Sequence, residues 1–189
     1  SGYVFGPAVF RNCTFRKANF TRTDLSEAEF INCSLNGTVL DAAIMRKSKF
    51  NGCSCESSLF KDIDARDALY DKCDFRAASF DHCAFHACSF QNADFVAVRM
   101  RDCKFESARF HGASFVKSTI VRSELGSCDY NEAVLRETSL DGCSLSNACF
   151  VTASLSEVEF ARCNLRGSAF GRASVRDCKF FENDFDSAT

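Results

Sequence analysis

The chain of 189 residues contains no Trp, a single Pro and almost no net charge. Its formal charge of −2 excludes a strongly basic protein that binds nucleic acid directly, and also a strongly acidic protein. No apolar run approaches the roughly 18 residues of a membrane-spanning helix, so we expect no membrane span. The first residues are not typical of a signal peptide, and Ser1 and Gly2 are interpreted as a remnant of cloning. The apolar content of 46% is sufficient for a core.

Phe and Cys are abundant instead, with 21 and 13 copies, and their spacing is periodic. Every fifth residue from Phe5 to Phe185, here called the central position, is apolar; of these 37 residues, 20 are Phe and 9 are Leu. The residue two places earlier, here called the minor position, is small in 33 of 38 cases, with 14 Ala and 11 Cys. All 48 charged side chains occupy the other three positions. Because burying an unpaired charge is costly, the central and minor positions are predicted to face a core.

A period of five fits neither a helix, whose side chains repeat about every 3.6 residues, nor a flat strand, whose side chains repeat about every 2 residues. Two inward residues in five require a chain that turns a corner every five residues, and four such walls close a coil of about 20 residues. Stacked at the ~4.8 Å spacing of neighbouring strands, about nine coils would form a rod roughly 45 Å long. The Phe rings of successive coils are expected to stack in ladders. We name the walls A to D after their first central residues, Phe5, Phe10, Phe15 and Phe20.

Two scarce residue types fit such a coil. Six of the nine Gly lie two residues after a central position, beside the corner, where relaxed backbone sterics help the chain to turn. Pro is nearly absent because it cannot donate a hydrogen bond to a ladder of strands.

Short runs such as Ala18-Asn19-Phe20, Ala93-Asp94-Phe95 and Cys163-Asn164-Leu165 resemble the signature of the pentapeptide-repeat family. That signature is Ala, then Asp or Asn, then Leu or Phe, followed by two free residues, and the resemblance covers the whole chain. It implies an all-β fold, the right-handed quadrilateral parallel β-helix of that family. The handedness comes from the resemblance and not from the period. We expect a single domain of this kind over residues 3–188.

The cysteines are predicted to be reduced and structural. Eleven occupy minor positions, where they exchange with Ala and Ser as small buried hydrophobic residues do. Cysteines spaced by 20 residues are expected to stack in columns with parallel side chains, which disfavours disulfides. No His faces inward to complete a zinc site, so no metal or other cofactor is expected. Reduced thiols favour a cytoplasmic location.

Residues 53–65 are the expected place of a local irregularity. Cys55 and Ala65 are small residues at central positions, whereas Ile63 is a large residue at a minor position. We interpret this exchange as compensated packing, because cores resist both voids and overpacking. A groove at this place is the alternative.

Charge is spread evenly over the four walls, whose net charges lie between −3 on wall A and +1 on wall B. No wall carries a basic stripe, so direct binding of nucleic acid is not expected. Some pentapeptide-repeat proteins, the quinolone-resistance group, resemble DNA in shape and charge and bind DNA gyrase. The resemblance therefore implies a gyrase-binding or topoisomerase-binding protein as an alternative function. The weak charge and the lack of a loop inserted between repeats disfavour it.

Two surface features are predicted to contact a protein. Val96 and Val116 follow central residues of wall C one coil apart, so they are expected to stack, with Ala97 and Val134 close by. Phe181 is the one Phe outside the inward register. It lies in the last coil, where it is expected to cover the open end or to join two rods as an end-to-end homodimer.

No constellation of residues is typical of an enzyme. The three His residues, His82, His86 and His111, face outward on a convex surface without a nucleophile or an enclosing pocket. Glycine-rich phosphate loops and nucleotide signatures are absent from the sequence. We therefore predict a non-enzymatic, rigid scaffold for protein–protein interaction, which forms part of a larger protein and takes no cofactor.

Overall fold

The structure is a computed structural model that describes residues 2–189; Ser1 lies outside the described residues. The chain forms a parallel β-solenoid of about 9 turns, in which successive coils pair at a spacing of 20 residues, from Val4 with Asp24 to Asn164 with Asp184. The four-walled β-helix predicted from the sequence is therefore confirmed. No helix in residues 2–189 is long and apolar enough to cross a bilayer.

Strands of three residues form three parallel sheets, each on one wall. Wall B carries the first sheet, from β1 (Val9–Arg11) through β2 (Glu29–Ile31) to β3 (Lys49–Asn51). Wall D carries seven strands: β4 (Leu59–Lys61), β5 (Ser79–Asp81), β7 (Arg99–Arg101), β9 (Thr119–Val121), β11 (Ser139–Asp141), β13 (Glu159–Ala161) and β15 (Lys179–Phe181). Wall C carries five strands: β6 (Asp94–Val96), β8 (Ser114–Val116), β10 (Val134–Arg136), β12 (Ser154–Ser156) and β14 (Ser174–Arg176).

Stacked aromatic rings fill the core, as the sequence predicts. On wall B an unbroken column of rings runs from Phe10 to Phe170, with successive centroids 4.5–5.2 Å apart. The small central residues Cys55 and Ala65 and the large minor residue Ile63 are all buried. Burial of all three agrees with compensated packing in this stretch. The strands also move from wall B to wall D here, between β3 and β4.

Corners are of two kinds, which differ in the partner of the backbone N–H at the minor position. At a closed corner this N–H donates to the carbonyl of the central residue three places earlier, as Ala113 does to Phe110 at 2.9 Å. At an open corner, which follows every strand, that hydrogen bond is missing. All 14 Ala of the minor position lie at closed corners, and none lies at an open corner among residues 2–189.

This division restricts the predicted exchange of Cys, Ser and Ala to the closed corners, because Ala is absent from the open ones. Several N–H groups at open corners are satisfied by the side chain at the same place one coil later; Val98, for example, donates to Ser118 Oγ at 3.3 Å. Ser118 Oγ in turn donates to the Phe95 carbonyl at 2.7 Å. The Cys143 thiol likewise donates to the Ile120 carbonyl at 3.4 Å. Ala can neither donate nor accept through its side chain, which explains its absence from open corners.

Two of the three aliphatic residues at open corners lie where no acceptor is required. Ile63 and Val98 each begin a column of open corners, and the coil before them has a closed corner whose N–H is already bonded. Val158 is different, because the coil before it has an open corner at Thr138. The Thr138 N–H is buried and has no acceptor among residues 2–189.

We therefore expect Val158→Thr to stabilise the protein by about 0.5–1.5 kcal/mol, the usual net value of one hydrogen bond. The new hydroxyl would accept the Thr138 N–H, in a side chain of nearly the same shape as valine. Val98→Thr is the matched control, because the N–H beneath it is already bonded, and it should give no gain. Urea unfolding of both variants measures the difference; an equal effect of the two changes would contradict the account.

The residue two places after each central residue turns the chain with a positive φ. From Asn12 to Ser187 every such residue has a φ between 46° and 67°. This explains why six of the nine Gly occupy the position, as the sequence indicated. Thr152 is the one β-branched residue among them, because β-branched side chains fit the left-handed region poorly.

Candidate functional site

The sheet of wall C carries three outward valines on β6, β8 and β10, and Arg136 of β10 pairs in register with Val116. Val96 pairs in register with Val116, so the two side chains stack as the 20-residue spacing predicts. Val134 pairs with Ser114 on the next strand and lies diagonally across from Val116, about 7–8 Å away at the spacing of such neighbours. Val134 is 43% exposed, and the other two valines are half-buried.

Ala97 carries this patch to the corner between walls C and D. Its backbone turns with a φ of 55° and its N–H donates to the Val116 carbonyl at 2.8 Å. The Ala97 side chain is exposed and small, so it does not cover the neighbouring residues of wall D. The structure thus brings Val96, Ala97 and Val116 together, and places Val134 at the margin. These four residues are called the valine patch below.

Phe181 lies on the outside of wall D and not across the end of the rod. It pairs with Ala161 on the neighbouring strand, remains 51% exposed and leaves Ala161 only 7% exposed. The position after a central residue points outward, which places the ring along the sheet. The core side chains of the final coil are partly open: Val175, Phe180 and Phe185 are 39–45% exposed. End-to-end pairing of two copies through these residues stays a prediction.

A ladder of ion pairs crosses wall D. Arg101 donates to both oxygens of Asp81, at 2.8 and 3.0 Å, and Arg122 donates to both oxygens of Asp102, at 2.9 Å each. The hydrogen bonds from these guanidinium groups lower the pKa of both carboxyls. His82 lies between them, with Nδ1 3.0 Å from Asp81. Asp81, His82 and Asp102 are close enough together to share a metal ion, but the arginines already use both carboxylates.

Arg99, on the same wall, was not singled out by the sequence analysis. No carboxylate among residues 2–189 lies within 4.0 Å of its guanidinium. Its neighbours on the adjacent strands are the uncharged Ser79 and Thr119. Together with Arg101 these residues border a depression of about 280 Å³, whose floor includes Met100. The 20-residue spacing could have identified these neighbours from the sequence, because residues 79, 99 and 119 must stack on one another in successive coils.

The other chemically reactive side chains have structural surroundings. The three histidines each lie beside a carboxylate and remain outward: His82 by Asp81, His86 by Glu106 and His111 by Glu132. All thirteen cysteines are free thiols. Burial raises the pKa of Cys88 and of Cys128 to about 12, which keeps these two thiols protonated at neutral pH.

Comparison with known proteins places the chain among repeat proteins of this architecture. The profile of the pentapeptide repeat region matches residues 5–69 and 63–140. Among curated proteins, none matches the sequence significantly.

Two solved structures are similar in fold. HetL, a pentapeptide repeat protein involved in heterocyst differentiation regulation in the cyanobacterium Nostoc, has 16% identity and a TM-score of 0.67, covering 94% of this chain and 87% of its own. A trypsin-treated variant of QnrB1, a plasmid-mediated fluoroquinolone resistance protein, has 18% identity and a TM-score of 0.53, covering 94% of this chain and 89% of its own. At these identities the similarity concerns the fold alone.

Proposed function

Because this chain belongs to the pentapeptide repeat family, we propose that it is a non-enzymatic scaffold that binds a protein partner through the valine patch. We further propose that it works in the cytoplasm as part of a larger protein. The observation that carries the proposal is the register of Val96 on Val116 within the parallel sheet of wall C. Apolar side chains that are contiguous on an otherwise polar surface are typical of contact sites.

The fold favours binding over catalysis for a physical reason. The patch is held by ladders of parallel strands above a column of packed rings, so a partner would meet a surface that needs little ordering. Apart from Arg99, the surface charges described above are paired with one another. Such a surface can recognise a partner by shape, whereas it offers a substrate no enclosed, water-free site.

The double change Val96→Lys with Val116→Lys is expected to weaken partner binding at least tenfold, because two charges would lie in an apolar contact. The matched control is Val39→Lys with Leu59→Lys, a second stacked apolar pair, on wall D. Proteins that co-purify with the wild type and the control, but not with the valine-patch variant, would be identified by mass spectrometry. Equal recovery by all three proteins would contradict the assignment of the patch.

Gyrase binding is the second candidate function, because the QnrB1 structure shares the fold. The near-neutral walls argue against it, since a DNA mimic must present a continuous negative surface to a DNA-binding groove. A supercoiling assay with purified gyrase, with and without a quinolone, separates the two functions. Protection or inhibition by this protein would support gyrase binding, and no effect would favour a different partner.

A further inference from the structure

The depression on wall D adjoins the valine patch. The chain passes from Val96 on wall C through the corner at Ala97 to Arg99 on wall D within three residues. One coil later it passes in the same way from Val116 to Thr119. An apolar surface and a depression lined by Arg99, Arg101 and Asp81 therefore meet at one corner. The corner position is the short Ala97 in one coil and the exposed Lys117, 3.7 Å from Glu137, in the next.

Two guanidinium groups border the depression, and they differ in their partners. Arg101 is held by both oxygens of Asp81, whereas Arg99 has no carboxylate within 4.0 Å among residues 2–189. The two residues lie on the same face of β7, two positions apart, which separates them by roughly 6.6 Å at the rise of a strand. A carboxylate placed between them would come within hydrogen-bonding distance of both side chains. The hydroxyls of Ser79 and Thr119 lie on either side of Arg99 and can donate to the same group.

The local charge around Arg99 determines whether a negatively or a positively charged group can bind there. On wall D around Arg99 the surface carries three guanidinium groups, on Arg99, Arg101 and Arg122, against the two carboxylates of Asp81 and Asp102. On wall C the valines are flanked by one charge of each sign, Asp94 and Arg136, which offset each other. The unbalanced charge is positive and belongs to Arg99. A partner that contributes one carboxylate here would complete the ladder, because charge-assisted bonds to a guanidinium are among the stronger hydrogen bonds.

We propose that the corner between walls C and D, from Val96 to Arg101, docks an acidic protein segment whose carboxylate binds at Arg99 while its apolar neighbours cover Val96 and Val116. This inference rests on the proposed scaffold function and adds the chemistry of the partner. It commits to the carboxylate of a protein side chain, because the apolar surface beside Arg99 would have no use in binding a free inorganic anion. Such an acidic partner also differs from the partner of a DNA mimic, which would bind the mimic in a positively charged groove.

Fluorescence anisotropy with two labelled peptides tests the proposal directly. One peptide alternates Val and Glu, and the other alternates Val and Lys. Wild-type protein is expected to bind the acidic peptide, and Arg99→Glu to raise its Kd at least tenfold. Arg109→Glu is the matched control, since Arg109 is also exposed and has no carboxylate within 4.0 Å among residues 2–189, but lies on wall B. This control should leave the Kd unchanged.

Three results would overturn the proposal: no binding of the acidic peptide, equal binding of the basic peptide, or the same loss in both arginine variants. Displacement of the peptide by millimolar inorganic phosphate would also overturn it, because the depression would then be a general anion site. The scaffold function is tested separately by the valine-patch variant. If that variant loses its partner while Arg99→Glu retains it, the scaffold function stands and the acidic segment is wrong.

Discussion

Replacing Phe110 by Ala is expected to lower the free energy of unfolding by about 3–5 kcal/mol, the cost of removing a large buried ring. Phe110 is fully buried in the aromatic column of wall B. Its ring stacks on Phe90 at 5.2 Å and on Tyr130 at 5.0 Å, and it meets Phe115 edge-on at 5.4 Å. The change would therefore open a cavity and remove several aromatic contacts at once. Equilibrium unfolding in guanidinium chloride measures the loss.

Phe181→Ala is the control for this prediction, because it removes the same side chain from the outside of wall D. At 51% exposure its loss should cost less than about 1 kcal/mol. The comparison separates the packing of the inward register from the general effect of losing a Phe. Similar losses for Phe110→Ala and Phe181→Ala would show that the column of rings does not hold the coils together.

Ser118→Ala is expected to cost about 1–3 kcal/mol, although it removes only one oxygen atom. Ser118 Oγ accepts the Val98 N–H at 3.3 Å and donates to the Phe95 carbonyl at 2.7 Å. Both groups are shielded from water between two coils, so the Val98 N–H would be left buried without an acceptor. Ser118→Cys should recover part of the loss, because a thiol makes the same bond to the previous coil at Cys143.

Ser168→Ala is the matched control, at a closed corner. Ser168 is equally buried, but its hydroxyl donates to the Leu165 carbonyl at 2.7 Å, which also accepts the Ser168 N–H at 3.1 Å. Removing this hydroxyl leaves no backbone donor without a partner, so the cost should stay below about 1 kcal/mol. Equal losses at Ser118 and Ser168 would contradict the distinction between the two kinds of corner.

The candidate site was only partly predictable from the sequence. The stacking of Val96 on Val116 followed from the 20-residue coil, because residues one coil apart on the same wall must be neighbours. The importance of Arg99 did not follow, although its neighbours Ser79 and Thr119 could have been named from the same spacing. Whether an arginine lacks an ion-pair partner depends on which carboxylate each neighbouring arginine binds. Arg101 reaches back to Asp81, one coil before it, and that choice of rotamer is a matter of three-dimensional packing.

The period of five by itself determined the inside and the outside of this protein. The inward positions recur every five residues without a break, and a charge at any of them would be buried. The uncharged positions therefore mark the inside of a single closed coil. Only the tertiary structure decided which corners are closed by their own hydrogen bond and which are open. That choice depends on whether the next coil supplies a side-chain partner for the free N–H, as Ser118 does for Val98. The same small position therefore takes Ala at one corner, as at Ala113, and a hydroxyl or thiol at another.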